Sequence, residues 1–159
     1  MLATLLLAAV ASGAQPYRLL GSAAPDFTLK ATSGTNLRLA EYRGQVVMLA
    51  FWGSNCGQCG DQLEAVSRLV DTYGSAGLTA LAVNVDDNVA AAARFAAAHP
   101  VGYPMLLDPQ KQVARAYRVD NLPMLLLVDR SGTIRWAARD YKRDSDVGYQ
   151  EQVRVLLDE

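Results

Sequence analysis

The chain has little with which to build a metal site. Its 159 residues include two cysteines, Cys56 and Cys59, and one histidine, His99. A closed zinc site wants four ligands, usually from a second cysteine or histidine pair, and this composition does not supply them. No metal is expected. His99 falls at the end of an alanine-rich stretch, where an imidazole is read as a C-terminal helix cap favouring the dipole.

Charge of one sign is also lacking. Fifteen Lys and Arg face sixteen Asp and Glu, a formal net charge of −1. There is no basic stripe, so nucleic acid is not implied as a partner. There is no block of like charge that would mark a tail or a membrane-surface patch. No internal repeat and no linker divides the chain, and its length fits one domain. Hydrophobic content of 51% against 19% charge is enough for a packed core and argues against disorder.

The first residues, MLATLLLAAVASGAQP, carry no charged side chain. Their apolar run of about ten residues is too short to cross a bilayer core of about 30 Å as a helix. It ends in Ser12-Gly13-Ala14, the small-x-small pattern of a cleavage site. Residues 1–14 therefore read as a secretory signal, although no Lys or Arg precedes the apolar run. The domain proper is expected over residues 15–159. No cysteine lies near the cleavage point, so a lipid anchor there is not supported.

What is present is a strand–helix alternation. PDFTLKATSGTNLRLAEY reads as two short strands around Ser33-Gly34. VVMLAFW, Val46 to Trp52, is a continuous apolar run, as expected of a strand buried on both faces. From about Gly57 to Tyr73 apolar residues recur with helical period at Leu63, Val66, Leu69, Val70 and Tyr73, and Gly74 stops the helix. A second buried strand is predicted over Leu78–Val85. An alanine-rich helix follows, opened by Asp86, Asp87 and Asn88 as caps and closed before Pro100. Short strands at Tyr103–Asp108, Leu122–Asp129 and Thr133–Ala138 frame a short helix in PQKQVARAYRV. A last helix over Asp146–Glu159 turns Val153, Leu156 and Leu157 inward. This order implies an α/β domain with a mixed sheet.

Both cysteines sit in FWGSNCGQCG, between a buried strand and a helix start. Unpaired N–H groups and the helix dipole favour negative charge there, so the Cys56 thiolate forms more readily than a free thiolate. Spacing of three predicts Cys59 on the same helix face one turn later. A structural staple is a poor explanation of the pair, because closing a four-residue loop contributes only about 2 kcal/mol. In a strand–helix context the pair points to redox chemistry, with Cys56 the exposed nucleophile and Cys59 the shielded resolving thiol.

With these elements placed, the chain resembles the exported TlpA/ResA-like branch of the thioredoxin-like superfamily, of AhpC/TSA-redoxin type. FWGSNCGQC matches that branch's FW-x-x-x-C-x-x-C signature at Phe51, Trp52, Cys56 and Cys59. GSAAPDFTLKATSGTNLRLAEYRGQVVMLAFW resembles its N-terminal hairpin and first central strand. NVDDNVAAAARFAAAHPVGYPMLLDPQKQVARAY resembles its extra helix–strand insertion, and VDNLPMLLLVDRSGTIRW the segment with its cis-proline, here Pro123. The resemblance implies a thioredoxin-like fold: a central mixed sheet flanked by helices, with an N-terminal β-hairpin and a helix–strand insertion. It implies a thiol–disulfide oxidoreductase that needs no cofactor, works outside the cytoplasm in a role such as cytochrome c maturation, and reduces disulfides of client proteins. It further implies recharging by a membrane electron donor of the DsbD/CcdA type. Cys56 and Cys59 would be catalytic. Trp52, Leu122 and Pro123 would form the substrate-binding set, Trp52 shielding the disulfide and Leu122 with Pro123 positioning a substrate strand.

Several residues depart from the branch. Asn55 precedes the first cysteine where Trp or another bulky residue is usual, Met124 follows the proline where Thr is common, and Ala50 stands where cytosolic thioredoxins bury an acid. Gln62 occupies the position of a frequent glutamate, and an amide takes no proton at neutral pH. Proton transfer would then fall to solvent or to Asp86 and Asp87, although helix capping is the favoured role for those two acids. Asp61 and Glu64 read as a solvated first turn, Phe95 as helix core and Trp136 as packing. Two other functions fit part of the pattern. A peroxidase of the peroxiredoxin type shares the Ala24–Leu29 opening but needs a Thr where Gly53 stands. A copper-delivery module would use the soft thiolates for Cu(I).

Overall fold

A computed structural model describes residues 16–159; the expected signal segment lies outside them. Seven strands form one sheet: β1 (Thr28–Ala31), β2 (Asn36–Arg38), β3 (Val46–Trp52), β4 (Leu78–Asn84), β5 (Met105–Leu107), β6 (Met124–Val128) and β7 (Ile134–Ala138). Four α-helices accompany them: α1 (Cys59–Tyr73), α2 (Val89–Ala98), α3 (Gln112–Ala116) and α4 (Ser145–Leu157). The strand order is β2-β1-β5-β4-β3-β6-β7. β3, β4 and β5 run parallel, and the remaining pairings are antiparallel. This is the mixed sheet flanked by helices that the sequence predicts, with β1–β2 as the N-terminal hairpin and α2–β5 as the insertion.

The continuous apolar run of β3 has a direct cause. Every residue from Val46 to Trp52 is buried, so no polar alternation is possible. Side chains on a strand still alternate between faces. Val46, Met48, Ala50 and Trp52 enter one core with Leu63, Val66 and Leu69 of α1 and Tyr149, Val153 and Leu156 of α4. Val47, Leu49 and Phe51 enter the other core, with Tyr17, Phe27, Val113 and Tyr117. β6 divides the same way, Leu125 and Leu127 against Met124, Leu126 and Val128.

Three local expectations are corrected. The α1 helix starts at Cys59 and not near Gly57, because Cys56–Gln58 form a turn in which the Cys59 N–H donates to the Cys56 carbonyl at 3.3 Å. The cap of α2 is Asn88 alone, whose Oδ1 accepts from the Ala91 N–H at 3.1 Å. Asp86 and Asp87 are employed elsewhere. α3 is shorter than PQKQVARAYRV, and its first turn is held by buried Asp108, which accepts from the N–H groups of Gln112 and Ala114 at 3.0 and 2.8 Å. In the β1–β2 hairpin Gly34 has φ +93°, a left-handed conformation that glycine adopts without a Cβ penalty.

Candidate functional site

The C-terminal ends of β3 and β4 lie side by side, with Trp52 in register with Asn84. The chain leaving β3 there must turn to reach α1, and Cys56 sits at that turn. Its N–H donates to the Gly53 carbonyl at 3.2 Å. Cys56 and Cys59 are joined as a disulfide, with Cα atoms 5.4 Å apart. The two sulfurs differ in access. Cys59, the first residue of α1, has no exposed surface, while Cys56 is half-buried. The exposure difference needed for a nucleophile and a resolving thiol is therefore present.

Cys56 opens onto a groove of about 450 Å³. Its apolar lining comes from Val85, Ala114, Val119 and Leu122, and Asp86, Lys111 and Asp120 add charge. Leu122 lines the groove, and the Leu122–Pro123 bond is cis, as the resemblance implies. Leu122 itself is half-buried, and Pro123 is buried. The fold thus brings Cys56, Cys59, Leu122 and Pro123 to one place.

Trp52 is placed differently from an open contact surface. It is wholly buried, in the core that also holds Cys59 and against which Cys56 packs. Its ring stacks on Phe95 of α2 at 4.9 Å, and Phe95 stacks on His99 at 4.1 Å. His99 is the C-cap of α2, as its position in the sequence suggests, and its Nδ1 lies 3.0 Å from the Phe95 carbonyl. The ring lies against Gly60 of α1, where a Cβ would sit 2.7 Å from Nε2. A Cβ at that position would displace the imidazole from its place. The three rings therefore tie the insertion helix to the turn carrying the cysteines.

Asp86 is the residue that pattern reading placed least well. Its Oδ1 and Oδ2 accept from the Ser54 N–H at 3.1 and 2.9 Å, and Oδ2 also accepts from Asn84 Nδ2 at 2.8 Å. The Asp86 N–H returns a bond to Asn84 Oδ1 at 3.0 Å. This carboxylate holds the loop that delivers Cys56. The sequence signal was two acids at a strand end, which reads equally as a helix start; the long-range partner, 32 residues away, was not legible. Asp87 is exposed and pairs with Lys111 at 3.0 Å. Asp86→Ala should cost about 2 kcal/mol, since it leaves Ser54 N–H and Asn84 Nδ2 without their charged acceptor. It should slow reduction of a small disulfide severalfold, while Asp86→Asn keeps one acceptor and most of the rate. Denaturant melts and stopped-flow rates on the two variants test this.

Gln62, one turn into α1, is also fully buried. Its Nε2 donates to Tyr149 Oη at 2.9 Å, and its Oε1 has no partner among the described residues. Burial pushes the Tyr149 phenol up to about 12, against the opposing hydrogen bond from Gln62. Below the cysteines Ala50 is buried and contributes no acid. Asp61 and Glu64 are exposed, and Glu64 pairs with Arg68 one turn on. Gly53 stands where a peroxidatic cysteine of that type requires a threonine, and a side chain there would press on its neighbours. A Cβ there would lie 3.1 Å from Leu122 Cδ1 and 3.3 Å from Asp86 Oδ1.

The AhpC/TSA family profile matches residues 20–137. The chain belongs to that family. Thiol-disulfide oxidoreductase ResA of Geobacillus kaustophilus is 37% identical over 116 residues, which cover 73% of this chain and 67% of that protein. ResA of Bacillus subtilis is 33% identical over 114 residues, covering 72% of this chain and 64% of that one. Among solved structures, one described as a thiol:disulfide interchange protein DsbE from Chlorobium tepidum superposes with a TM-score of 0.83 at 30% identity. That superposition covers 87% of this chain and 97% of the other. The thioredoxin-like fold is thereby shown by relatives as well as by topology.

Proposed function

We infer that this protein is a thiol–disulfide oxidoreductase that reduces disulfides of client proteins through the Cys56–Cys59 dithiol. The observation that carries the reading is the unequal burial of the two sulfurs at a strand–helix turn beside a groove. It stands with the likeness to thiol-disulfide oxidoreductases. In the reduced protein the Cys56 thiolate attacks one sulfur of the client disulfide. A Cys56–client mixed disulfide forms, and the first client thiolate leaves and takes a proton from solvent. Cys59 then loses its proton and attacks Cys56 Sγ. The second client thiolate leaves, and the Cys56–Cys59 disulfide remains. Two electrons have passed to the client.

Leu122 and Pro123 position the client strand along the groove. Trp52 acts from beneath as packing behind the cysteines. Gln62 carries no titratable proton, so protons move through solvent at the groove. The likeness to ResA and DsbE supports work outside the cytoplasm, in a periplasmic or equivalent space. There a membrane electron donor of the DsbD/CcdA type would return two electrons to the disulfide. A cytochrome c maturation role fits the same chemistry.

The test of direction is the reduction potential of the Cys56–Cys59 pair equilibrated against glutathione. A value near or below about −250 mV is expected, among thioredoxin-like reductants. A value near about −120 mV would place it with strong oxidants and overturn the reductive reading.

A further inference from the structure

Four arginines line one cleft of about 690 Å³: Arg18 from the N-terminal segment, Arg115 in α3, Arg118 just beyond it, and Arg139 after β7. The Arg139 guanidinium lies 5.9 Å from the centre of the Tyr17 ring in the same cleft. The one acid in the lining is Asp120, 3.9 Å from Arg139. Among the described residues no carboxylate is within ion-pair distance of Arg18, Arg115 or Arg118. Residues 1–15 carry no Asp or Glu at all. In a chain whose net charge is −1 this is a local concentration of positive charge.

Ordinary structural roles do not account for it. A helix dipole would favour Arg115 at the end of α3, but not Arg18 or Arg139. Arg118 is held at φ +51°, in the left-handed position after a helix where glycine or asparagine is usual. The conformation is fixed by the Arg118 N–H on the Arg115 carbonyl at 3.0 Å and the Val119 N–H on the Ala114 carbonyl at 2.9 Å. An arginine kept at that position gives the cleft a charge at a conformational cost.

The cleft is not isolated. Val119 and Asp120 line both it and the groove beside Cys56. The cleft and the groove beside Cys56 therefore share one wall. We propose that this cleft receives an acidic segment of the client protein that flanks the client's reducible disulfide. The proposal rests on the thiol–disulfide reading above. Charge complementarity here would raise the association rate and choose among clients, while the cysteine chemistry stays the same for all.

The test uses the reduced protein and two synthetic peptides, each closed by one intramolecular disulfide. One is flanked on both sides by glutamates, the other by glutamines. Hydroxyethyl disulfide is the uncharged control. At low salt the acidic peptide should be reduced about tenfold faster than the neutral one. That advantage should disappear near 0.5 M NaCl, as expected for screened surface charge (~0.5 M). The double variant Arg18→Glu, Arg115→Glu should lose or reverse the preference and reduce hydroxyethyl disulfide at the unaltered rate. Equal rates for the two peptides, or a preference that survives both substitutions, overturns the proposal. So does binding to phosphatidylserine vesicles that the double variant lacks, if the peptide rates are equal; the arginines would then face a membrane. Failure of the parent protein to reduce hydroxyethyl disulfide overturns the thiol–disulfide reading itself, a separate result.

Discussion

The Cys59→Ser protein should accumulate a mixed disulfide with its client through Cys56, and Cys56→Ser should reduce client disulfides at the uncatalysed rate only. The expected loss for Cys56→Ser is at least about a thousandfold, because the attacking sulfur is removed and nothing nearby replaces it. Cys59 cannot take over, since it is fully buried in the first turn of α1. Cys59→Ser acts later in the sequence: attack proceeds, the second displacement does not, and the intermediate persists. Stability separates these chemical losses from misfolding. The disulfide closes a loop of four residues, worth about 2 kcal/mol in the chain-entropy model, so both variants should still fold. Non-reducing gels and mass spectrometry of the trapped species report the outcome. Trapping of a client on Cys59 in the Cys56→Ser protein would reverse the roles.

Trp52→Ala should cost about 3–5 kcal/mol, in the range for truncating a large buried aromatic ring. In a chain of this size that is a fall in Tm of roughly 10 °C. The ring is wholly buried and stacked on Phe95, which in turn stacks on His99 against Gly60. Its loss removes the floor under the cysteine turn and the anchor of α2 together. Trp52 Nε1 has no hydrogen-bond partner among the described residues. Trp52→Phe keeps an aromatic face and removes that unpaired N–H, so it should cost less than about 1.5 kcal/mol. Thermal melts of the two variants test the stack. A loss below about 1 kcal/mol for Trp52→Ala would mean that the aromatic column does not hold the insertion helix in place.

Much of the fold was legible because its signals are local. β3 was bounded at both ends by its apolar run, Val46 to Trp52, as the strand is found. The β1–β2 hairpin announced itself through Ser33-Gly34, and α4 through Val153 and Leu156, both buried. The start of α1 was misplaced by two residues. Helical periodicity has no phase mark where Gly57 and Gln58 lie exposed, and the turn is set by the backbone bonds around Cys56. Asp86 was misread for a related reason: a carboxylate before a helix caps it unless something else needs it. What needed it was the Ser54 N–H, which only the neighbouring β3–β4 register brings close.

The sequence by itself determined the chemistry and the architecture. Two cysteines three apart after a buried strand, one histidine, and balanced charge leave thiol exchange as the redox reading, and strand–helix alternation leaves a mixed sheet. These follow from residue type, spacing and period, which act over one turn or one strand. The tertiary structure decided which sulfur is reachable, what supports it and what lies beside it. Cys59 is buried in a core shared with α4, β3 and β6, Trp52 stacks on Phe95 of the insertion, which stacks on His99, and four arginines from separate segments meet at one cleft. Such juxtapositions join positions a hundred residues apart and more, as the Tyr17 hydroxyl donating to the Tyr117 carbonyl does across 100 residues. No local pattern encodes them, because side-chain contacts of this kind exist only once the sheet order has been set.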